Sequence, residues 1–329
     1  MRAFVNENYR TPERLRAARG AVYLLATATV LAVLIEVWVP RFYHLDNITN
    51  VLRQAGILGI VTLGQCLVLL VAGIDLSVGA VMSASLVVVA ELSRPGGLGL
   101  FSTLVVVLLL GAFVGSMNGL LVAYRGVPPF IATLAMTAVV GGAQLAYTKG
   151  VPAGAIPESL RPLGLTGIGR LPYATILWMV LAFVLFILLR RTAAGRHLYA
   201  AGTSRAVAVR SGTRTELVVL AAYIGCGLLA AVAGIVLSAY VGYVDPGIGT
   251  GYELDSISAA VVGGVAFTGG RGGVLGASLG VLFLSILLNL VILAGINPNL
   301  QLVVRGGVVI GAMAVIAVRA NQRYYHGRA

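Results

Sequence analysis

Long apolar runs, separated by short polar or glycine-containing stretches, dominate this chain. Residues 21–39, 101–110 and 176–189 are almost continuous apolar runs. A bilayer core about 30 Å thick needs roughly 20 mostly apolar residues per helix, and continuous runs favour helices over the alternating strands of a barrel. The pattern therefore predicts an all-α membrane protein.

The runs predict about ten transmembrane helices, with broken or re-entrant segments among them. We place them at residues 21–40, 51–72, 77–92, 98–123, 129–148, 173–190, 217–240, 252–268, 274–294 and 301–318. Only Gly73–Leu76 separates the second from the third, so a broken or re-entrant helix at 77–92 is an alternative.

The arginines predict the orientation. This arrangement leaves sixteen basic residues in inside segments and seven in outside ones, the bias expected of cytoplasmic loops. It puts residues 1–20, 190–216 and 319–329 in the cytoplasm. The proline-rich loop 149–172 then lies outside, where it would cover a transport path or contact an external partner. The first apolar run is too long for a signal peptide, and we expect one transmembrane domain over 1–329.

Composition excludes several other classes. Hydrophobic residues make up 59% of the chain and charged residues 10%, whereas soluble domains carry about 25% charged residues. The net charge of +12 does not indicate nucleic-acid binding, because the arginines lie mostly in short loops. Cys66 and Cys226 lie in apolar runs and predict neither a disulfide nor a metal site. No nucleotide-binding or hydrolase motif occurs, so any ATP must be hydrolysed by a partner.

Glycines recur at spacings that suit close helix packing. Gly56, Gly59 and Gly64 form one such set, and Gly111, Gly115 and Gly119 form another. Small residues let membrane helices approach closely, so packing is the interpretation we adopt for most glycines.

An aspartate interrupts the apolar sequence at residues 71–79, Val-Ala-Gly-Ile-Asp-Leu-Ser-Val-Gly. Charge inside a membrane is costly and marks functional positions. In one interpretation Asp75 and Ser77 lie near a translocation path or hold its wall beside a helix break. In the other, Asp75 is an inner-surface loop residue that caps the third helix.

A second acidic pair, Glu253 and Asp255, enters an apolar segment at residues 249–264. Acidic residues are favoured at a helix N-terminus by the helix dipole, which is the simpler account. The alternative is a broken helix that lines the path. Asp75-Leu-Ser and Asp255-Ser-Ile-Ser, one in each half of the chain, suggest a two-fold internal repeat of the kind that transporters use.

The loop at 190–216 contains a predicted short helix that begins at Ser204 and ends near Gly212. Its apolar side, Ala206, Val207 and Val209, favours docking on a partner protein, and an interfacial helix on anionic lipid is the alternative. The predicted coupling residues are Ser204, Arg205, Ala208, Arg210, Ser211 and Gly212. Ala208→Glu or Arg210→Glu should uncouple ATP hydrolysis by a docked partner from transport, without unfolding the chain.

Together these segments resemble the permease subunits of monosaccharide ABC importers, of the ribose, xylose and galactose type. The resemblance spans about 60–310 in order. It rests on GIDLSVG at 73–79, VPPFIATL at 127–134, GRHLYAAG at 195–202, AVRSG at 208–212, GTGYELDSISAAVVGG at 249–264 and GGRG at 269–272.

The resemblance implies a permease of a bacterial-type inner membrane that pairs with a second permease subunit. Two ABC ATPase subunits would dock at the cytoplasmic loops and carry ATP and Mg²⁺, with no cofactor in this chain. A binding protein would deliver the solute from outside. Thr203, Ser204 and Arg205 depart from the acidic or amide residues common there, which leaves the ATPase partner open. An ion-coupled secondary transporter that uses Asp75, Glu253 and Asp255 is the alternative.

Overall fold

The computed structural model describes residues 42–93, 96–150 and 154–295, with a few isolated positions outside these ranges. Within them the chain forms eleven helices and one small hairpin. The first helices are α1 (Leu45–Leu70), α2 (Val78–Leu92), α3 (Leu100–Tyr124), α4 (Pro129–Thr148) and the short α5 (Arg161–Leu165). Strands β1 (Gly167–Ile168) and β2 (Leu171–Pro172) pair antiparallel. The later helices are α6 (Tyr173–Arg191), α7 (Ala193–Thr203), α8 (Arg205–Arg210), α9 (Thr215–Val241), α10 (Tyr252–Val262) and α11 (Val274–Leu293).

Six of the described helices are long and apolar enough to cross a membrane: α1, α3, α4, α6, α9 and α11. The prediction of an all-α membrane protein is confirmed. The predicted first and last spans, 21–40 and 301–318, fall mainly outside the described residues.

The other two predicted spans are too short to cross alone. Helix α2 has 15 residues, or about 22 Å at 1.5 Å per residue. The prediction of a span over 252–268 is wrong, because α10 ends at Val262. The chain then turns through Gly263 and Gly264, and Gly264 has a left-handed φ of 88°. At about 16 Å, α10 crosses only part of a bilayer.

Helices α1 and α9 form the centre of the bundle, and glycines set how closely their neighbours approach. A Cβ at Gly111 or Gly115 of α3 would overlap the backbone of α9, at Gly227 and Tyr223 respectively. On α1, Gly56 packs on the backbone of α6 at Ala174, where a Cβ on the glycine would lie only 2.6 Å from the nearest atom. The packing interpretation of these two glycine sets is confirmed.

The outer helices α3, α4 and α6 expose large apolar side chains. Phe101, Val139 and Phe183 are 81%, 63% and 64% exposed. Such faces suit lipid, because lipid tails are as apolar as these side chains.

The bundle has two distinct ends. The loop end holds α7, α8, the C-termini of α1, α3 and α6, and the start of α9. The hairpin end holds α5, β1 and β2, and two arginines fasten it: Arg161 donates to the carbonyls of Ala239 and Tyr240 at 2.8 and 3.0 Å, and Arg53 donates to the Leu165 carbonyl at 3.0 Å. The loops at 149–172 and 190–216 thus lie at opposite ends, as predicted.

Candidate functional site

The chain between α1 and α2, residues 71–77, is unwound inside the bundle. Two of its backbone carbonyls receive side-chain donors from other helices. Ile74 O accepts from Thr133 Oγ1 of α4 and from Tyr223 Oη of α9, both at 3.3 Å. Leu76 O accepts from Thr137 Oγ1 at 3.0 Å. Unwound backbone is tolerated at membrane depth only where protein or a cavity surrounds it.

The side-chain amide of Gln65 pairs with the backbone of Asp75. Oriented to satisfy both groups, its nitrogen donates to Asp75 O at 3.1 Å and its oxygen accepts from Asp75 N at 3.2 Å. Gln65 is fully buried. A glutamine in the middle of an apolar helix thus replaces the backbone partners that the break in the helix removes.

The Asp75 carboxylate organises the start of α2. Its Oδ1 accepts from Ser77 N at 2.8 Å, from Ser77 Oγ at 2.6 Å and from Asn118 Nδ2 of α3 at 3.4 Å. Asn118 also donates to Ser77 Oγ at 2.9 Å. Asp75 and Ser77 are each 1% exposed. Asp75 therefore caps α2, but from inside the bundle rather than from an inner-surface loop.

The second broken segment runs from the end of α9 to the start of α10. Gln144 Nε2 of α4 donates to Pro246 O at 3.0 Å, and Gly249 N donates to Ser83 Oγ of α2 at 2.9 Å. Both carboxylate oxygens of Glu253 accept from Gly251 N, at 3.1 and 3.0 Å. This contact caps the start of α10 with a negative charge, which the helix dipole favours.

The two broken segments meet where their helices begin. A Cβ at Gly79, in the first turn of α2, would overlap the Glu253 carboxylate, and a Cβ at Gly249 would overlap Gly79 O. From this crossing α2 runs to the hairpin end and α10 runs to the loop end. The segment 71–77 enters from the loop end and the segment 242–251 from the hairpin end, so the two half-helices point in opposite directions, as interrupted helices do in inverted repeats.

The four predicted site residues differ in exposure. Asp75, Ser77 and Asp255 are buried, whereas Glu253 is partly exposed. Sequence reasoning missed Gln65, Asn118, Thr133, Thr137 and Tyr223. The available signal was a polar side chain within an apolar run, which membrane helices rarely carry without a partner.

At the loop end, α8 forms where the sequence predicted a helix. Ser204 Oγ accepts from Val207 N at 3.4 Å as its N-cap, and Gly212 follows with a left-handed φ of 79°. Val207 and Val209 are 60% and 52% exposed, and Ala208 is 2% exposed. Because Ala208 is buried, Ala208→Glu would place a carboxylate in a packed site, and on this geometry we expect that variant to lose stability.

The remaining coupling residues have separate positions. Arg210 and Ser211 are exposed at the end of α8. Arg205 donates to Ala123 O of α3 at 3.1 Å and to Glu216 Oε1 of α9 at 3.0 Å. Arg205 therefore fastens α8 to the bundle.

Crossed half-helices inside a bundle of apolar spans are typical of membrane transport proteins. The chain belongs to the family described as branched-chain amino acid transport system / permease component, which it matches over residues 47–313. It is a transport subunit of the multi-pass membrane type.

Named relatives cover most of the chain. It is 35% identical over 297 residues to the ribose import permease protein of Escherichia coli (strain K12), covering 88% of this chain and 92% of that protein. It is 38% identical over 294 residues to the ribose import permease protein of Bacillus subtilis (strain 168), covering 86% and 88%. It is 30% identical over 296 residues to the D-allose transport system permease protein of Escherichia coli (strain K12), covering 90% of each. No solved structure matches the chain.

Proposed function

We propose that this chain forms the translocation path of an ATP-driven importer for a monosaccharide or a related small polar solute, acting as a single permease domain. The relatives are named for ribose and D-allose, which supports this solute class. The comparisons give no support to the ion-coupled alternative.

The observation that carries the proposal is the crossing of the half-helix starts at Gly79 and Gly249. Transporters commonly bind solutes where two interrupted helices begin near the membrane midplane. Asp75 and Ser77 hold the wall of this region, and the buried Asp255 supports it from α10. Of the four predicted site residues, Glu253 is the one that is partly exposed. Its carboxylate is therefore the group best placed to accept hydrogen bonds from solute hydroxyls.

The energy source in this proposal is a pair of ABC ATPase subunits, which bind ATP and Mg²⁺ and dock on α8. The exposed side chains Val207, Val209 and Arg210 suit a partner with an apolar groove and an acidic rim. ATP shifts the permease between two states by binding one of them more tightly. The loop end and both chain termini face the cytoplasm of a bacterial-type cell. A binding protein delivers solute to the hairpin end, and a second permease subunit completes the path.

The test is uptake by proteoliposomes that hold the permease, the ABC ATPase and the binding protein of its transport system. Labelled ribose, allose, fructose and galactose are supplied outside, with ATP and Mg²⁺ inside. We expect uptake of at least one sugar that stops without ATP and that ionophores do not change. Uptake that follows an ion gradient and ignores ATP would contradict the proposal. A Glu253→Gln variant should raise the KM for the transported sugar, with Glu158→Gln, an exposed acid at the hairpin end, as the control.

A further inference from the structure

The C-terminal end of α7 packs between the start of the first broken segment and the turn that follows α10. Gly202 lies against the last residue of α1, so closely that a Cβ there would overlap Leu70 O. The same Cβ would lie 2.7 Å from Gly270 N. Gly270 N in turn donates to Leu70 O at 2.9 Å. Three segments that are far apart in sequence therefore share one contact.

Further contacts tie α7 to the turn that follows α10. Tyr199 Oη donates to Gly272 O at 3.0 Å. Burial raises the pKa of the Tyr199 phenol, so the hydroxyl keeps its proton and donates throughout the physiological pH range. Thr203 packs on Gly270. This side of the contact thus holds α10 through its C-terminal turn.

The opposite side of the contact holds the first broken segment. Gly269 lies against Ala72, whose Cβ and N would both be 2.9 Å from a Cβ placed on the glycine. Ala72 has a left-handed φ of 60°, which is unusual for a residue with a side chain. The chain leaves α1 at this strained residue and then runs to Asp75. Displacement of Gly202 would therefore act directly on the origin of the unwound segment.

Helix α8 is joined to α7 by a single residue. Ser204 ends α7 and caps α8. A force on the exposed side chains of α8 therefore reaches Gly202 through two residues of chain. Close-packed contacts transmit displacement because they contain no gap to absorb it.

We infer that Gly202 is the joint that passes movement of the α7–α8 loop to both half-helices at once. It is a positioning residue that acts on Leu70 and Gly270 and does not contact solute. The inference rests on the proposed function, since it assumes that the ABC ATPase docks on α8. It adds that one glycine links this docking site to both halves of the path.

The test uses the complete transporter in proteoliposomes and measures sugar imported per ATP hydrolysed. Gly202→Ala inserts a methyl group between α7 and Leu70 O. We expect the ATPase to remain bound and active while import per ATP falls by about tenfold, the effect of moderate overpacking. Tyr199→Phe removes one hydrogen bond and no volume, and import per ATP should fall by about two- to tenfold. Gly142→Ala is the control, because its Cβ would meet open space.

The outcomes separate the two claims. If the unmodified permease neither binds the ATPase nor imports sugar with ATP, the proposed function fails, and the inference fails with it. If the unmodified transporter works and Tyr199→Phe imports as much per ATP as the Gly142→Ala control, the joint is overturned even if Gly202→Ala does not fold. Loss of the ATPase from a folded Gly202→Ala complex would also overturn it, since that residue would then govern docking.

Discussion

Replacement of Asp75 by alanine is the perturbation whose magnitude the structure defines best. The carboxylate accepts from three buried donors: Ser77 N, Ser77 Oγ and Asn118 Nδ2. Asp75→Ala removes this acceptor, but Asn118 Nδ2 keeps its hydrogen bond to Ser77 Oγ, so only the two donors of Ser77 lose their partner. An unpaired buried donor costs about 1–3 kcal/mol, whereas hydrogen bonds between membrane helices average about 0.6 kcal/mol. We therefore expect the free energy of unfolding to fall by about 2–4 kcal/mol.

Asp75→Asn is the matched control, because its amide oxygen can still accept from Ser77. We expect it to lower the free energy of unfolding by no more than about 1 kcal/mol. The assay is reversible unfolding in mixed micelles, followed by circular dichroism. Equal midpoints for all three proteins would refute the reasoning. Equal losses for Asn and Ala would also refute it, because the negative charge rather than the acceptor oxygen would then hold the segment.

Three further substitutions test other parts of the structure. Gly115→Val should lower the free energy of unfolding by about 1–3 kcal/mol in the same assay, since its side chain would enter the α9 backbone, whereas Gly142→Val should not. Arg161→Gln should speed proteolysis within 154–172, because it removes the hydrogen bonds from Arg161 to Ala239 O and Tyr240 O that hold this segment on α9. An unchanged cleavage rate would show that this arginine does not hold the hairpin end in place. Val207→Glu should abolish co-purification of the ABC ATPase and leave the melting temperature of the permease unchanged, and retained association would count against docking on α8.

The sequence predicted the full-length helices well because their signal is local. The spans predicted at 129–148 and 173–190 differ by at most one residue at either end from Pro129–Thr148 and Tyr173–Arg191. The predicted cap at Ser204 forms as well. A continuous apolar run and a capping side chain each act within a few residues, so neither depends on the rest of the fold.

The site was harder to predict because its partners are distant in sequence. Asn118 reaches Asp75 across 43 residues, and Tyr223 reaches Ile74 across 149. Apolar residues after Gly264 resembled a continuing helix, although the turn there returns the chain to α7. The burial of Ala208 likewise depends on tertiary packing, which a six-residue helix pattern does not reveal.

Labelling of two single-cysteine variants tests most directly the claim that a separate ABC ATPase binds the loop end of this permease. Ile168→Cys places a thiol at the hairpin end and Val207→Cys one on α8, both at exposed positions, in a background that lacks Cys66 and Cys226. A membrane-impermeant maleimide should label Ile168→Cys on intact cells. It should label Val207→Cys only in inverted vesicles, and bound ABC ATPase should block that reaction. Labelling of Val207→Cys on intact cells, or at an unchanged rate with the ATPase bound, would contradict the account.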